Sequence, residues 1–286
     1  MRAVRLVLAG CALQLTACAG PVGPPPAPQV STVDRTWIGE VIAADHSSEG
    51  FSAYSTREPG ATLAQAYVVQ RSLVLRHYGG AGGIGGYKGG FSSSTAMARF
   101  GIDRPALGAL PAKGRLRAPY LLRLADFRRL VVECELGFEL AHDVTERVDD
   151  EAQVRALVAR IGPAVELPDL RVTGADLSLV DHVSANISAA RFIFEPLVKP
   201  DAAADINAIM SQLERDGITV GSGGARLAFG DQWAALRSIL NTAFEQGYRP
   251  SAGDVILTGA LVQAEAEKGH YVAHFGNLGK IEFAVR

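Results

Sequence analysis

The sequence predicts an α+β domain with a sizeable core. Three observations carry that reading. Helical periodicity appears in only three segments of the body. Strand-like segments crowd the C-terminal two-thirds. The two kinds of segment are not interleaved in the regular alternation of a doubly wound sheet. No internal repeat is visible. Of the 286 residues, 48% are apolar and 20% charged, which is globular rather than disordered. The formal net charge of -2 gives no basic surplus of the kind nucleic acid selects.

The N-terminus reads as a targeting segment. Arg2 and Arg5 precede a short apolar run, Leu6 to Leu15, too short to span a bilayer. Leu15-Thr16-Ala17-Cys18 then resembles a bacterial lipobox, whose Cys is acylated and becomes the new N-terminus. Leu8-Ala9-Gly10-Cys11 fits the same pattern but leaves less apolar chain before it, so Cys18 is the preferred lipidation site. An ordinary cleaved signal peptide is the plainer alternative. Residues 1–18 are thus expected to be a signal, and 19–34 a Pro-rich spacer built on GPVGPPPAP. Residues 35–286 form the expected catalytic body. A lipid anchor places that body at the cell envelope, and Ala19 rather than Asp leans towards the periplasmic face of an outer membrane. Only Cys134 remains in the body, so no disulfide is expected within it, and a small buried filler is its plainest role.

Taken in order, Ala61-Thr62 opens a helix with Leu63, Ala66, Tyr67, Gln70 and Val74 at helical spacing, and Gly79-Gly80 ends it. A second helix is expected from about Asp149 through Val154, Leu157, Val158 and Ile161, stopped by Gly162-Pro163. A third begins at Asp231 as N-cap, uses Leu236, Ile239, Leu240 and Ala243, and stops at Gly247. Strands are expected at Leu130 to Leu140, Arg191 to Glu195, Val255 to Gly259, Tyr271 to Phe275 and Ile281 to Val285. Ile206 to Val220 is ambiguous between a helix and a hairpin turning at Asp216-Gly217.

Glu133 and Glu135 stand out inside an apolar strand. Strand side chains alternate, so the two share a face about 7 Å apart while Cys134 points the other way. Carboxylates in such a setting need a partner, and a hard divalent cation is a suitable one. A partly exposed strand with solvated carboxylates is the alternative. Gly80 to Gly85 formally matches a dinucleotide fingerprint, but a helix precedes it and none clearly follows, which argues against that role. His270 and His274 on a strand read as surface residues. The arginines at 115, 117, 123, 128 and 129 read as a solvated face.

Seven short segments then occur in the order expected of one family. They are Ala66-Tyr67-Val68-Val69-Gln70, Gly86-Tyr87-Lys88-Gly89, Glu133-x-Glu135, Glu166 with Arg171, Asn186-x-Ser188, Gly221-x-Gly223 and Gly253-Asp254-x-x-x-Thr258-Gly259. From Thr62 to Phe283 the chain resembles the 2-keto-4-pentenoate hydratase and 4-oxalocrotonate decarboxylase branch of the fumarylacetoacetate hydrolase superfamily.

The resemblance implies a curved mixed sheet with flanking helices, and a homodimer or larger assembly of dimers. It implies Mg²⁺ or Mn²⁺ held by Glu133, Glu135 and Glu166, with positions left for water and a chelating 2-oxo acid. It makes Lys88 the catalytic cation, stabilising developing charge or shuttling a proton, and assigns Tyr87 and Ser188 to substrate binding. The implied reaction is addition of water to a short unsaturated 2-oxo acid such as 2-hydroxypenta-2,4-dienoate, a step of aromatic catabolism. Decarboxylation of an oxalocrotonate-like diacid is the alternative, and acylpyruvate hydrolysis a weaker one. Two positions depart from the family pattern. Ala106 and Ala185 stand where relatives carry polar groups able to position water or relay protons. With the lipobox, these departures motivate a further alternative, a non-catalytic lipoprotein that binds the metal and 2-oxo acids.

Overall fold

The computed structural model describes residues 29–45, 47–117, 119–199 and 205–286. Cys11, Cys18, Ala19 and the Pro-rich run lie outside the described residues. The helices are α1 (Thr32–Asp45), α2 (Leu63–Tyr78), α3 (Ser94–Phe100), α4 (Glu151–Ala156), α5 (Leu179–Ser184) and α6 (Gln232–Glu245). The first seven strands are β1 (Phe51–Ser52), β2 (Ile84–Gly90), β3 (Ala106–Pro111), β4 (Leu121–Leu122), β5 (Val131–Leu140), β6 (Val158–Leu167) and β7 (Val172–Thr173). The rest are β8 (Arg191–Phe194), β9 (Met210–Arg215), β10 (Ile218–Gly224), β11 (Val255–Leu257), β12 (Val262–Glu265), β13 (Gly269–Phe275) and β14 (Lys280–Val285).

The main sheet runs β3-β2-β11-β5-β6-β8, with β12 also paired to β5. A second sheet runs β10-β9-β13-β14-β4, and β1 pairs with β7. β5 is the spine of the main sheet. One of its edges pairs with β6 from Glu133 to Leu140. The other edge is divided: β11 pairs with Gly137 to Glu139, and β12 with Val131 to Cys134. The chain leaves the ladder between β11 and β12, close to Glu135. β5 is buried on both faces, which explains its nearly unbroken apolar sequence.

Local chemistry explains the elements that match expectation. Thr62 caps α2 by accepting from the Gln65 N–H, and Gly79 ends it at φ 79°. Asp231 caps α6 by accepting from the Ala234 N–H. Trp233, Leu236, Ile239 and Leu240 then form a buried stripe on α6, which packs on β2, β3 and β11. Burial of each such side chain contributes about 1.5–3 kcal/mol. The ambiguous 206–220 segment is a hairpin. Asp216 and Gly217 both take positive φ (52° and 79°), as a two-residue turn matching strand twist requires.

Three elements differ from expectation. The helix expected from Asp149 to Ile161 is only Glu151–Ala156, and the chain then enters β6. Gly162-Pro163 lies inside β6 rather than ending a helix. The ladder to β8 begins only at Ala164, and a Cβ on Gly162 would stand 1.9 Å from the Glu195 carbonyl oxygen. The apolar residues from Val158 onward thus serve a strand buried against β5. Ile84–Gly90, glycine-dense and read only as a motif, is a buried strand. Glycines there admit close neighbours: a Cβ on Gly89 would stand 2.8 Å from Ile239 of α6. Finally, α1 begins at Thr32, inside the stretch 19–34 assigned to the spacer. The buried Asp34 carboxylate accepts from the Ser31 N–H at 2.7 Å and from Gln65 Nε2 at 2.9 Å, tying this end to α2.

Candidate metal centre and active site

The site forms where alternation within strands meets register between them. Glu133 and Glu135 share one face of β5, and Glu166 of β6 stands directly opposite Glu133. One carboxylate oxygen from each lies within 4.8 Å of the others, and no other such group occurs among the described residues. Glu135 and Glu166 are fully buried, and Glu133 is half-buried. Each has one fixed partner. The Gly259 N–H donates to Glu135 Oε2 at 2.6 Å, Gln263 Nε2 donates to Glu133 Oε1 at 2.9 Å, and Lys88 Nζ donates to Glu166 Oε1. Gly259 sits at φ 123°, and a Cβ there would stand 1.9 Å from Ser92 Oγ, so the backbone donor depends on glycine.

Two oxygens have no partner: Glu135 Oε1 and Glu166 Oε2 are buried and accept no hydrogen bond. An unpaired buried carboxylate oxygen is costly, so the trio as it stands is incomplete. The balance of charge is equally specific. Three carboxylates and one ammonium leave two negative charges, which a divalent cation cancels. Oxygen-only donors suit a hard ion such as magnesium or manganese. The residues therefore fit the metal implied by the sequence. Burial pushes the Glu133 carboxyl up to about 7, despite the opposing pull of Lys88. Burial, reinforced by the charges of Glu166 and Glu133, raises Glu135 well above the usual carboxylate range.

Lys88 comes from β2, two strands away from β5. It pairs with Leu257 of β11, which pairs in turn with Gly137 of β5, so its side chain lies over the same face as the glutamates. Gly108 opposite leaves room for its stem, since a Cβ there would stand 2.9 Å from Lys88 Cγ. Its ammonium is fully enclosed and also donates to the Ile187 carbonyl at 3.2 Å. Burial opposes the charge, but Glu166, Glu133 and Glu135 outweigh it and hold the group above its ordinary value. The carboxylates around Lys88 thus favour its charged form.

Asn186, Ile187 and Ser188 take consecutive positive φ values of 54°, 48° and 56°. For a β-branched residue this is strained, and the surroundings enforce it. The buried Asn186 side chain accepts from the Ala109 N–H at 2.7 Å and donates to the Ala109 carbonyl at 2.8 Å and to Tyr78 Oη at 2.9 Å. The turn presents the Ile187 carbonyl to Lys88 and sets Ser188 in the wall of the cavity that Lys88 and Glu133 also line.

That cavity measures about 580 Å³, within the range of small-molecule sites. Lys88, Glu133, Ser188 and Gln263 line it, with Phe91 and Phe100 beyond. The sequence reading thus brought Lys88, Ser188 and all three glutamates to one place. Tyr87 is a correction. As the neighbour of Lys88 on β2 it faces the other way, stacks edge-on against Tyr248 at 5.5 Å and lines a separate cavity. Arg171 also lies elsewhere, bound to Asp169 at 2.6 Å. Ala106 and Ala185 do not line the cavity, and Ala185 faces a different one. Cys134 is fully buried on the opposite face, and burial pushes its thiol up to about 12, as expected of a filler. Sequence reasoning missed Gln263 as partner of Glu133 and Asn186 as a clamp. Both depend on strand register and turn packing, which leave no local signature.

No family model matches the chain. The solved 4-oxalocrotonate decarboxylase of Pseudomonas putida G7, complexed with magnesium and adipate, has a TM-score of 0.82 at 21% identity, covering 90% of this chain and 100% of that one. The fumarylpyruvate hydrolase of Pseudomonas aeruginosa, complexed with Mn²⁺ and pyruvate, has a TM-score of 0.53 at 15% identity, covering 70% of this chain and 88% of that one. The fold is that of the fumarylacetoacetate hydrolase superfamily, as the sequence resemblance implied, and both neighbours carry a divalent cation. At the level of sequence, the 2-keto-4-pentenoate hydratase of Burkholderia vietnamiensis is 30% identical over 228 residues, or 78% of this chain and 86% of that protein. The chain belongs to the 2-keto-4-pentenoate hydratase family.

Proposed function

We propose that the protein is a lyase that adds water to a short unsaturated 2-oxo acid of the 2-hydroxypenta-2,4-dienoate type, with Mg²⁺ or Mn²⁺ as its cofactor. The observation that carries this is the unfinished carboxylate trio, with two orphaned buried oxygens, next to a buried lysine that lines a substrate-sized cavity together with Glu133. Glu133, Glu135 and Glu166 hold the cation. When bound, it supplies Lewis-acid stabilisation of charge on the 2-oxo oxygen.

The chain's own residues supply the rest. Hydration places a hydroxyl at C4 and protons at C3 and C5, using the enol proton and one water. Negative charge accumulates on the oxygen at C2 along the way. The Lys88 ammonium, held by Glu166 and the Ile187 carbonyl, is a preorganised donor for that charge. Ser188 lines the cavity, and its hydroxyl orients the attacking water or a substrate oxygen in this reading. Phe91, Phe100 and Ile187 shield the carbon chain from bulk water. Incubation with 2-hydroxypenta-2,4-dienoate should bleach the dienol absorbance with Mg²⁺ and not with chelator. Absence of turnover across several dienols at saturating Mg²⁺ rejects the reading. A decarboxylase would draw on the same residues, and an arginine in the cavity favours a diacid. Carbon dioxide in the products separates the two. The binder alternative loses one motive, because Ala106 and Ala185 lie outside the cavity.

Attachment to the envelope through Cys18 belongs to the same proposal and rests on the run Leu6 to Cys18. Among the described residues no helix is long and apolar enough to cross a membrane. Cys18→Ala should release the protein from membrane fractions of the expressing bacterium, and retention there refutes lipid attachment.

A further inference from the structure

We propose that Arg99 reads a second carboxylate at the far end of the substrate, so that the enzyme prefers 2-oxo diacids to monoacids. The inference rests on the active-site reading above and moves its preferred substrate from the monoacid dienoate to a 2-oxo acid with a second, distal carboxylate.

Arg99 is on α3 and lines the same cavity as Lys88 and Glu133. The helix holding it is fixed at both ends. Ser93 accepts from the Ala96 N–H at its start, and Gly101 at φ 63° ends it. Among the described residues the side chain of the exposed Arg99 forms no ion pair and no hydrogen bond. Arg104, Arg147, Arg155, Arg160, Arg171 and Arg215 each meet a carboxylate. Its guanidinium instead rests over the Phe100 ring, 5.2 Å from the centroid, which holds the charge in place without neutralising it.

The cavity is therefore lined by charge of two kinds, Lys88 with Glu133 and the unpaired Arg99. At the floor, the metal ligands and Lys88 take the 2-oxo carboxylate. Along the wall, Phe91 and Phe100 pack with centroids 4.6 Å apart, and the His182 ring lies 4.9 Å from Phe91. These apolar surfaces suit a carbon chain. Burial lowers His182 against the opposing charge of Asp181, and Arg99 adds to the lowering. Among the described residues Arg99 is the one lysine or arginine lining the cavity without an acidic partner, since Lys88 is bound to Glu166. A planar guanidinium recognises a carboxylate through two parallel hydrogen bonds, and a terminal carboxylate supplies that shape and charge.

The test is calorimetric binding of 2-oxoadipate and 2-oxohexanoate in the presence of Mg²⁺. The two have six carbons each and differ only in whether the far end is a carboxylate or a methyl group. The wild type should favour the diacid by about tenfold or more. Arg99→Gln should abolish that preference while leaving 2-oxohexanoate affinity within about twofold, and Arg99→Lys should keep part of it. The proposal is overturned if the wild type shows no preference, if Arg99→Gln leaves the preference intact, or if both acids weaken equally. Failure of both acids to bind the wild type overturns the site reading and this proposal with it. Binding of both without discrimination overturns this proposal alone.

Discussion

Glu135→Gln is expected to lower affinity for Mg²⁺ and Mn²⁺ by about a hundredfold or more while the protein stays folded. Affinity of a carboxylate site follows the count of its charged ligands, and this change removes one of three. The amide has the same shape. Its oxygen keeps the hydrogen bond from the Gly259 N–H, now made at 2.6 Å to Oε2. Burial and the charges of Glu166 and Glu133 raise the Glu135 carboxyl well above the usual range, so a neutral isostere suits the same setting. Calorimetry reads the affinity directly. Melting curves with and without metal give a second readout. A ligand at a hundred times its Kd stabilises the fold by about 2.7 kcal/mol, so the wild type should melt higher with Mg²⁺ and the variant should barely respond. A folded Glu135→Gln protein with unchanged Mg²⁺ affinity contradicts the assignment of the trio.

Lys88→Met should reduce kcat by about a thousandfold, the scale of a lost preorganised donor at a developing oxyanion. Metal affinity should hold or tighten in the same variant, because the ammonium competes with the cation for Glu166. That opposite response separates the lysine from the glutamates. A parallel loss of metal binding would mean that Lys88 organises the ligands rather than the chemistry. Methionine approximates the volume of the buried stem, which lies against Gly108, so packing is largely kept.

The two variants also show which features were legible in the sequence. The Glu133/Glu135 pair was readable because alternation along a strand is local, and α2 and α6 were readable because their caps and stops stand beside them. What brings Glu166 and Lys88 to that pair is register across β6, β5, β11 and β2, and no local pattern encodes register. Family resemblance, not periodicity, supplied those residues. The same gap explains the error at Tyr87: the motif placed it beside Lys88 in sequence, and the pleat turned it to the opposite face. The short α4 misled for another reason. Val158 and Ile161 suit a helix face or a strand equally well, and the Gly162-Pro163 pair tipped the balance towards a helix stop. α1 has no strong amphipathic pattern around Trp37 and Ile38, and is fixed instead by contacts with Phe51 and Tyr54.

The gap between β11 and β12 has a consequence for how such a site changes over evolutionary time. Residues 258–261 belong to neither strand, although Thr258 and Leu261 still donate to Leu136 and Cys134 at the margins. Ala260 in the middle takes part in no strand pairing and yet forms part of the cavity wall. The sheet thus contains a seam where side-chain size is decoupled from architecture. A bulkier residue at this one point reshapes the chamber without unzipping a ladder, which gives descent a simple dial for chamber size beside the fixed carboxylates of β5 and β6.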